Sequence, residues 1–167
     1  PLEVQVVDAA DSVGYDTHDA DDAVQLGLLG LDDLSQVPLW RRTVRRVHKR
    51  WADLAGDELR RAAIHELIDS QVSDLLKQTT RRLAEHSIED PAAVGRAGIL
   101  VRPSRELAEQ KEELEAFLFE HVYRHPDVLA VRRRVQEWLD TMFAGFASRP
   151  ELLPDAFREL AEQQGVH

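Results

Sequence analysis

No cysteine occurs in the 167 residues. That absence excludes a disulfide framework, a thiol nucleophile and a cysteine-ligated zinc site together. No apolar run approaches the roughly 18–20 residues that cross a bilayer. No basic-then-apolar leader opens the chain, so a cytoplasmic protein with no membrane partner is expected. Glycine and proline are scarce, at eight and seven residues. No sustained alternation of β-branched residues and no Asn-Gly or Asp-Gly hairpin turn argues for strands. A Ser-His-Asp elbow, a glycine-rich phosphate loop and a dinucleotide fingerprint are all missing. Lysine and arginine are absent from residues 1–40, where Glu3, Asp8, Asp11, Asp16, Asp19, Asp21, Asp22, Asp32 and Asp33 account for nearly all of the net charge of −10. Packed carboxylates without local counter-ions need a cation or basic groups from elsewhere, or a solvated face.

What remains is a globular composition, 43% apolar and 31% charged, with helical period almost throughout. The expectation is an all-α fold of about six helices in one compact unit. Residues 2–29 read as the first helix, bent near Gly14, with Leu2, Val6, Val7, Ala10 and Val13 as its apolar stripe. Residues 38–54 follow, with Pro38 in the first turn. Residues 57–86 form a long third helix. The breakers in 87–103 make that stretch a loop, with Gly98–Val101 the one run able to extend as a strand. Ser104 caps a helix to about Tyr123, stopped by Pro126. Asp127 caps the next, 128–147, and the last spans 155–164. The chain opens on Pro1-Leu2-Glu3 and enters an apolar helix at once, so it is expected to be the C-terminal portion of a longer protein.

On the first helix Asp11, Tyr15 and Asp19 lie at i, i+4 and i+8 and share a face. An acid, a phenol and a second acid in that order can offer a metal ligand, a flat ring and a hydroxyl acceptor, or simply a solvated surface. His121 and His125 also stand four apart, a spacing that suits zinc, but with no third ligand they read as helix-end histidines. For the basic run from Trp40 to Trp51 the favoured reading is intramolecular pairing with the acidic first helix. Contact with nucleotide phosphates comes second, and nucleic acid last because the chain is acidic. Phe117, Phe119, Tyr123, Trp138, Phe143 and Phe146 read as helix–helix core or a subunit contact.

The run Ala-Ala-Asp11-x-x-x-Tyr15-x-x-His18-Asp19-x-x-Asp22 resembles the deoxynucleoside triphosphate triphosphohydrolases, the dGTPase-like branch of the HD superfamily. So do Ser104 through Lys111, Leu114-x-x-Phe117-Leu118-x-x-x-Val122-Tyr123-x-His125-Pro126, and Met142-Phe143 followed by Arg149-Pro150-Glu-Leu-Leu153-Pro154. The resemblance implies that residues 1–30 carry the last helix of an HD catalytic core and residues 31–167 a helical C-terminal region. It implies hydrolysis of a dNTP to a deoxynucleoside and triphosphate. Asp11 matches the last of four metal ligands and the catalytic position, Tyr15 a ring packed on the deoxyribose, and Asp19 the acceptor of its 3′-hydroxyl. The implied cofactor is a divalent ion, Mg²⁺, Mn²⁺, Fe²⁺ or Ni²⁺. The family's first histidine and His-Asp pair have no place among the ten residues before Asp11. His18-Asp19 follows the last ligand instead of preceding it. This chain alone is therefore expected to be inactive, and family habit implies a homo-oligomer. The alternative is a non-catalytic helical module for oligomerisation or nucleotide-effector binding.

Overall fold

The computed structural model describes residues 1–164, with side chains through 160. Eight α-helices order themselves as α1 (Leu2–Gln25), α2 (Leu31–Leu34), α3 (Pro38–Arg50), α4 (Gly56–Glu85), α5 (Pro91–Ala97), α6 (Arg105–Leu118), α7 (Pro126–Ser148) and α8 (Asp155–Gln164). A π-helical turn, Phe119–Tyr123, continues α6, and a 3₁₀ turn, Pro150–Leu152, follows α7. No strand occurs among the described residues. The fold is all-α as expected, with two short helices, α2 and α5, beyond those the periodicity shows.

The expected single unit divides in two: Pro1–Tyr123, and the residues from Arg124 onward. In the first unit α1, α3, α4 and α6 pack on one another. Their core contains Ala20, Ala23, Leu34, Leu39, Trp40, Ala63, Leu67, Leu114 and Leu118. Small residues on α1 and α4, Ala20, Ala23 and Ala63, are fully or almost fully buried, which lets the two helices approach closely. α1 turns only its second half inward, through Val13, Asp16, Thr17, Ala20 and Ala23. The stripe expected from Leu2 to Val13 is corrected accordingly: Val6 and Val7 are exposed, and Val4 beside them as well.

Helix ends follow local chemistry. α1 runs unbroken past Gly14 and stops four residues early, because Gly27 takes the left-handed conformation (φ 71°). The Leu28 N–H then donates to the Ala23 carbonyl (2.9 Å) and the Gly27 N–H to that of Val24 (3.1 Å), satisfying carbonyls the helix leaves open. Ser104 caps α6, accepting from the Leu107 N–H at 3.3 Å. Asp127 is not the cap of α7. His125 holds that position, its Nδ1 accepting from the Asp127 N–H at 3.3 Å, and Pro126 opens the helix at the one place where a missing N–H is harmless.

Gly98–Val101 forms no strand, since side chains satisfy its backbone groups instead. Gln5 on α1 accepts from the N–H groups of Leu100 (2.7 Å) and Val101 (3.1 Å) and donates to the Gly98 carbonyl (3.0 Å). From α4 the Arg82 guanidinium donates to the carbonyls of Leu100 (3.2 Å), Arg102 and Pro103 (3.1 Å). With no free N–H or C=O row, the segment has nothing to offer a neighbouring strand.

The basic face of α3 pairs with α4 and α6, and not with the acidic first helix as expected. Arg42 meets Glu106 at 2.7 Å, while Arg46 and Arg50 share Glu66 at 3.5 and 3.4 Å. Counter-ions for α1 come from α4 and α6 instead, as Arg60 on Asp21 and Lys111 on Asp16. In the second unit α7 buries none of its residues. The aromatic core reading is corrected for Phe119, Trp138 and Phe143, which are exposed. Phe117 does pack against the core.

Candidate functional site on the outer face of α1

With 100° per residue and 1.5 Å rise, positions 11, 15 and 19 climb one side of α1 at about 6 Å per step. That side is opposite Val13, Thr17 and Ala20, so burying the inner face obliges the three to point outward. Asp11 and Tyr15 are exposed, Tyr15 at 69%, and neither is engaged by a hydrogen bond or ion pair among the described residues. Asp19 is half-buried and differs from the other two: the Tyr123 hydroxyl donates to its Oδ2. Tyr123 ends the π turn, and adding one residue per turn rotates the following side chains out of the α-helical frame of α6. Val122 stays buried while Tyr123 reaches α1. The sequence reading did not assign Tyr123 to the site. The one signal pointing to it was its place in a motif of the resemblance.

Behind the exposed face lies a buried polar cluster. Lys111 of α6 directs its ammonium at the Asp16 carboxylate, the Gln71 Oε1 (3.1 Å) and the Ser12 carbonyl (3.4 Å). Gln71 in turn donates through Nε2 to Thr17 Oγ1 at 3.3 Å. Three helices are thereby tied at one point, one turn inside the Tyr15–Asp19 face. The carboxylates affect one another. Burial, then the charges of Asp22 and Asp16, raises the Asp19 pKa above its ordinary 3.8 despite a small opposing effect of His18. Burial, then Asp16, raises that of Glu115 above 4.5.

One exposed carboxylate does not hold a divalent ion. Among the described residues no group of three or more His, Cys, Asp or Glu is placed to bind one. Asp11 by itself therefore does not fit a resident metal. His121 and His125 are each engaged locally: the His121 ring stacks on Phe117 at 4.2 Å and donates to its carbonyl at 2.9 Å, and His125 caps α7. Beside the α1 face runs an open apolar groove of about 380 Å³, bounded by Val6, Val13 and Gly14 on α1 and by Ile68, Val72 and Leu76 on α4.

Residues 101–167 match a phosphohydrolase-associated domain, which places the chain in a phosphohydrolase-like relationship. Along nearly all its length it is similar to proteins named deoxyguanosinetriphosphate triphosphohydrolase-like. It is 27% identical to that of Nitrosomonas europaea over 98% of this chain and 44% of the relative. Against Bordetella parapertussis the figures are 32%, 94% and 41%, and against Leptospira interrogans 28%, 99% and 45%. The chain spans less than half the length of these curated relatives. No helix among the described residues is long and apolar enough to cross a membrane.

Proposed function

We propose that this chain is the C-terminal part of a metal-dependent dNTP triphosphohydrolase of the HD superfamily, with residues 1–30 its share of the catalytic core. In the reaction water attacks the α-phosphorus, the bond to the 5′-oxygen breaks, the deoxynucleoside leaves with its 5′-hydroxyl, and the water oxygen stays on the triphosphate. The observation that carries this reading is the outward row Asp11, Tyr15 and Asp19, with the last of them engaged by the Tyr123 hydroxyl. The phenol occupies one carboxylate oxygen of Asp19 and leaves the other for a sugar 3′-hydroxyl. One turn away, the exposed Tyr15 ring offers a flat apolar surface on which a deoxyribose can pack.

Asp11 contributes one ligand for a divalent ion, and the remaining ligands belong to a part of the parent protein outside this chain. No chemical step is assigned to the lone carboxylate. The same reading accounts for apolar surface that a finished fold does not leave bare: Val4, Val6 and Val7 beside Asp11, and the groove next to them, are where the rest of the catalytic domain packs.

The test incubates the full parent protein, beside this chain, with mixed dNTPs and Mn²⁺ and assays inorganic triphosphate. Triphosphate from the parent alone is expected, with Asp11→Ala abolishing it. Near-wild-type turnover in Asp11→Ala overturns the assignment of that ligand. Silence from the folded parent moves the reading to an effector-binding or oligomerisation module.

A further inference from the structure

We propose that α7 is a self-association helix that pairs antiparallel with α7 of a second copy of this chain. The inference is independent of the proposed reaction and gives the expected homo-oligomer a surface. α7 buries none of its 23 residues, yet Val128, Val131, Val135, Trp138, Met142 and Gly145 recur along it at alternating spacings of three and four. That is the seam of a two-helix coiled coil over two and a half heptads. Trp138 is 62% exposed, and Val131 and Met142 are more than half exposed. An apolar row of this regularity on a helix with nothing buried is an interface awaiting its other side.

Three features choose a second copy, and choose its direction. The first is size. An antiparallel pair about a two-fold axis sets Val135 against Trp138, Val131 against Met142 and Val128 against Gly145, so each small side chain faces the variable end of the row. Every contact then occurs twice, as an isologous interface requires. A parallel pair would stack Trp138 on Trp138 and leave Gly145 facing Gly145. The second is charge. Up to Gln136 the helix carries Arg132, Arg133 and Arg134 against the single acid Asp127, while Glu137 and Asp140 are its only charges afterwards. Antiparallel pairing lays the basic half along the acidic half, whereas parallel pairing puts two arginine triplets side by side. The third is Gly145. A glycine inside a helix costs roughly 0.5–1 kcal/mol relative to alanine. A Cβ there would meet nothing within 4 Å among the described residues, so no contact among them calls for the gap. Close approach of a second helix does.

The experiment uses the whole chain and measures mass by light scattering across a concentration series. A dimer is expected, and Trp138→Glu should weaken it about thirtyfold or more, as loss of a central anchor does. Gly145→Leu separates pairing from folding, since it favours the isolated helix but fills the approach, so helicity should hold or rise while dimer affinity falls. The lack of cysteine makes orientation readable. Under oxidation a mixture of Val131→Cys and Met142→Cys proteins should form the mixed disulfide dimer, and neither variant alone should link efficiently to itself. A chain that is monomeric throughout the series overturns the proposal. So does a dimer indifferent to Trp138→Glu, or self-linking by each single-cysteine variant. Loss of thermal stability in a Trp138→Glu monomer of unchanged mass would show that the helix is covered from within its own chain, and overturns it as well.

Discussion

Lys111→Met removes one charge from the polar cluster that joins α1, α4 and α6 and leaves the space nearly filled. Methionine keeps most of the aliphatic stem, so what is lost is the ammonium and its contacts with Asp16, Gln71 and the Ser12 carbonyl. The side chains of Lys111 and Asp16 are only 10% and 9% exposed, so the orphaned carboxylate has little water to turn to. Removing one partner of a buried pair costs about 3–5 kcal/mol. For a chain of this size that lowers the melting temperature by roughly 6–20 °C, at about 2–4 °C per kcal/mol. Adding Asp16→Asn removes the stranded charge, and the double variant should recover most of the loss, because the pair's net worth is far smaller than the cost of breaking it. Urea unfolding is followed by the fluorescence of Trp40, 2% exposed in the core, with the exposed Trp51 and Trp138 changed to Phe. A loss below about 1 kcal/mol in Lys111→Met, with no recovery in the double variant, would mean the pair behaves as a solvent-screened surface bridge and would refute the reasoning.

At the end of α4, Ser87 adopts φ 48° to let Ile88 and Ser87 donate to the Leu83 and Ala84 carbonyls at 3.0 and 3.1 Å. Ser87→Gly should raise stability by about 0.5–1 kcal/mol in urea titration, since glycine takes that conformation without a Cβ penalty. Asp19 and Glu115 hold their protons above the ordinary values of 3.8 and 4.5, so the folded chain binds more protons than the unfolded one in the window above those values. Their contribution to stability is greatest at and below the ordinary range and is lost as pH rises through the raised pKa values. Relative to wild type, Asp19→Asn with Glu115→Gln should therefore gain stability as pH climbs through that window, and a flat difference would contradict it. On the proposed function, Tyr123→Phe in the full parent protein frees the Asp19 carboxylate. KM for a dNTP should rise about three- to tenfold, the loss of one hydrogen bond to a charged acceptor, with little change in the thermal stability of the chain.

The all-α fold and the four long helices of the first unit were legible because a helix announces itself locally, through period, Pro38 at an N-terminus and Ser104 at a cap. Boundaries moved where a backbone conformation decided them, as at Gly27, whose positive φ cannot be read from composition. Pairing was less legible. The acids of residues 1–40 asked for bases, and the arginines of α3 were the nearest in sequence. The counter-ions proved to be single residues on α4 and α6, Arg60 and Lys111, which no run of charge marks out. The site divides along the same line. Asp11, Tyr15 and Asp19 share a face because helical geometry alone puts them there, whatever the tertiary fold. Tyr123 joins them from 104 residues away, and only because α6 ends in a π turn. No residue type in Phe119–Tyr123 demands such a turn, so the contact had no local signal. An outward row that one helix sets up and a second helix completes is more than a solvated acidic face needs. That is why Tyr123, more than the spacing of the acids, favours a binding function for α1.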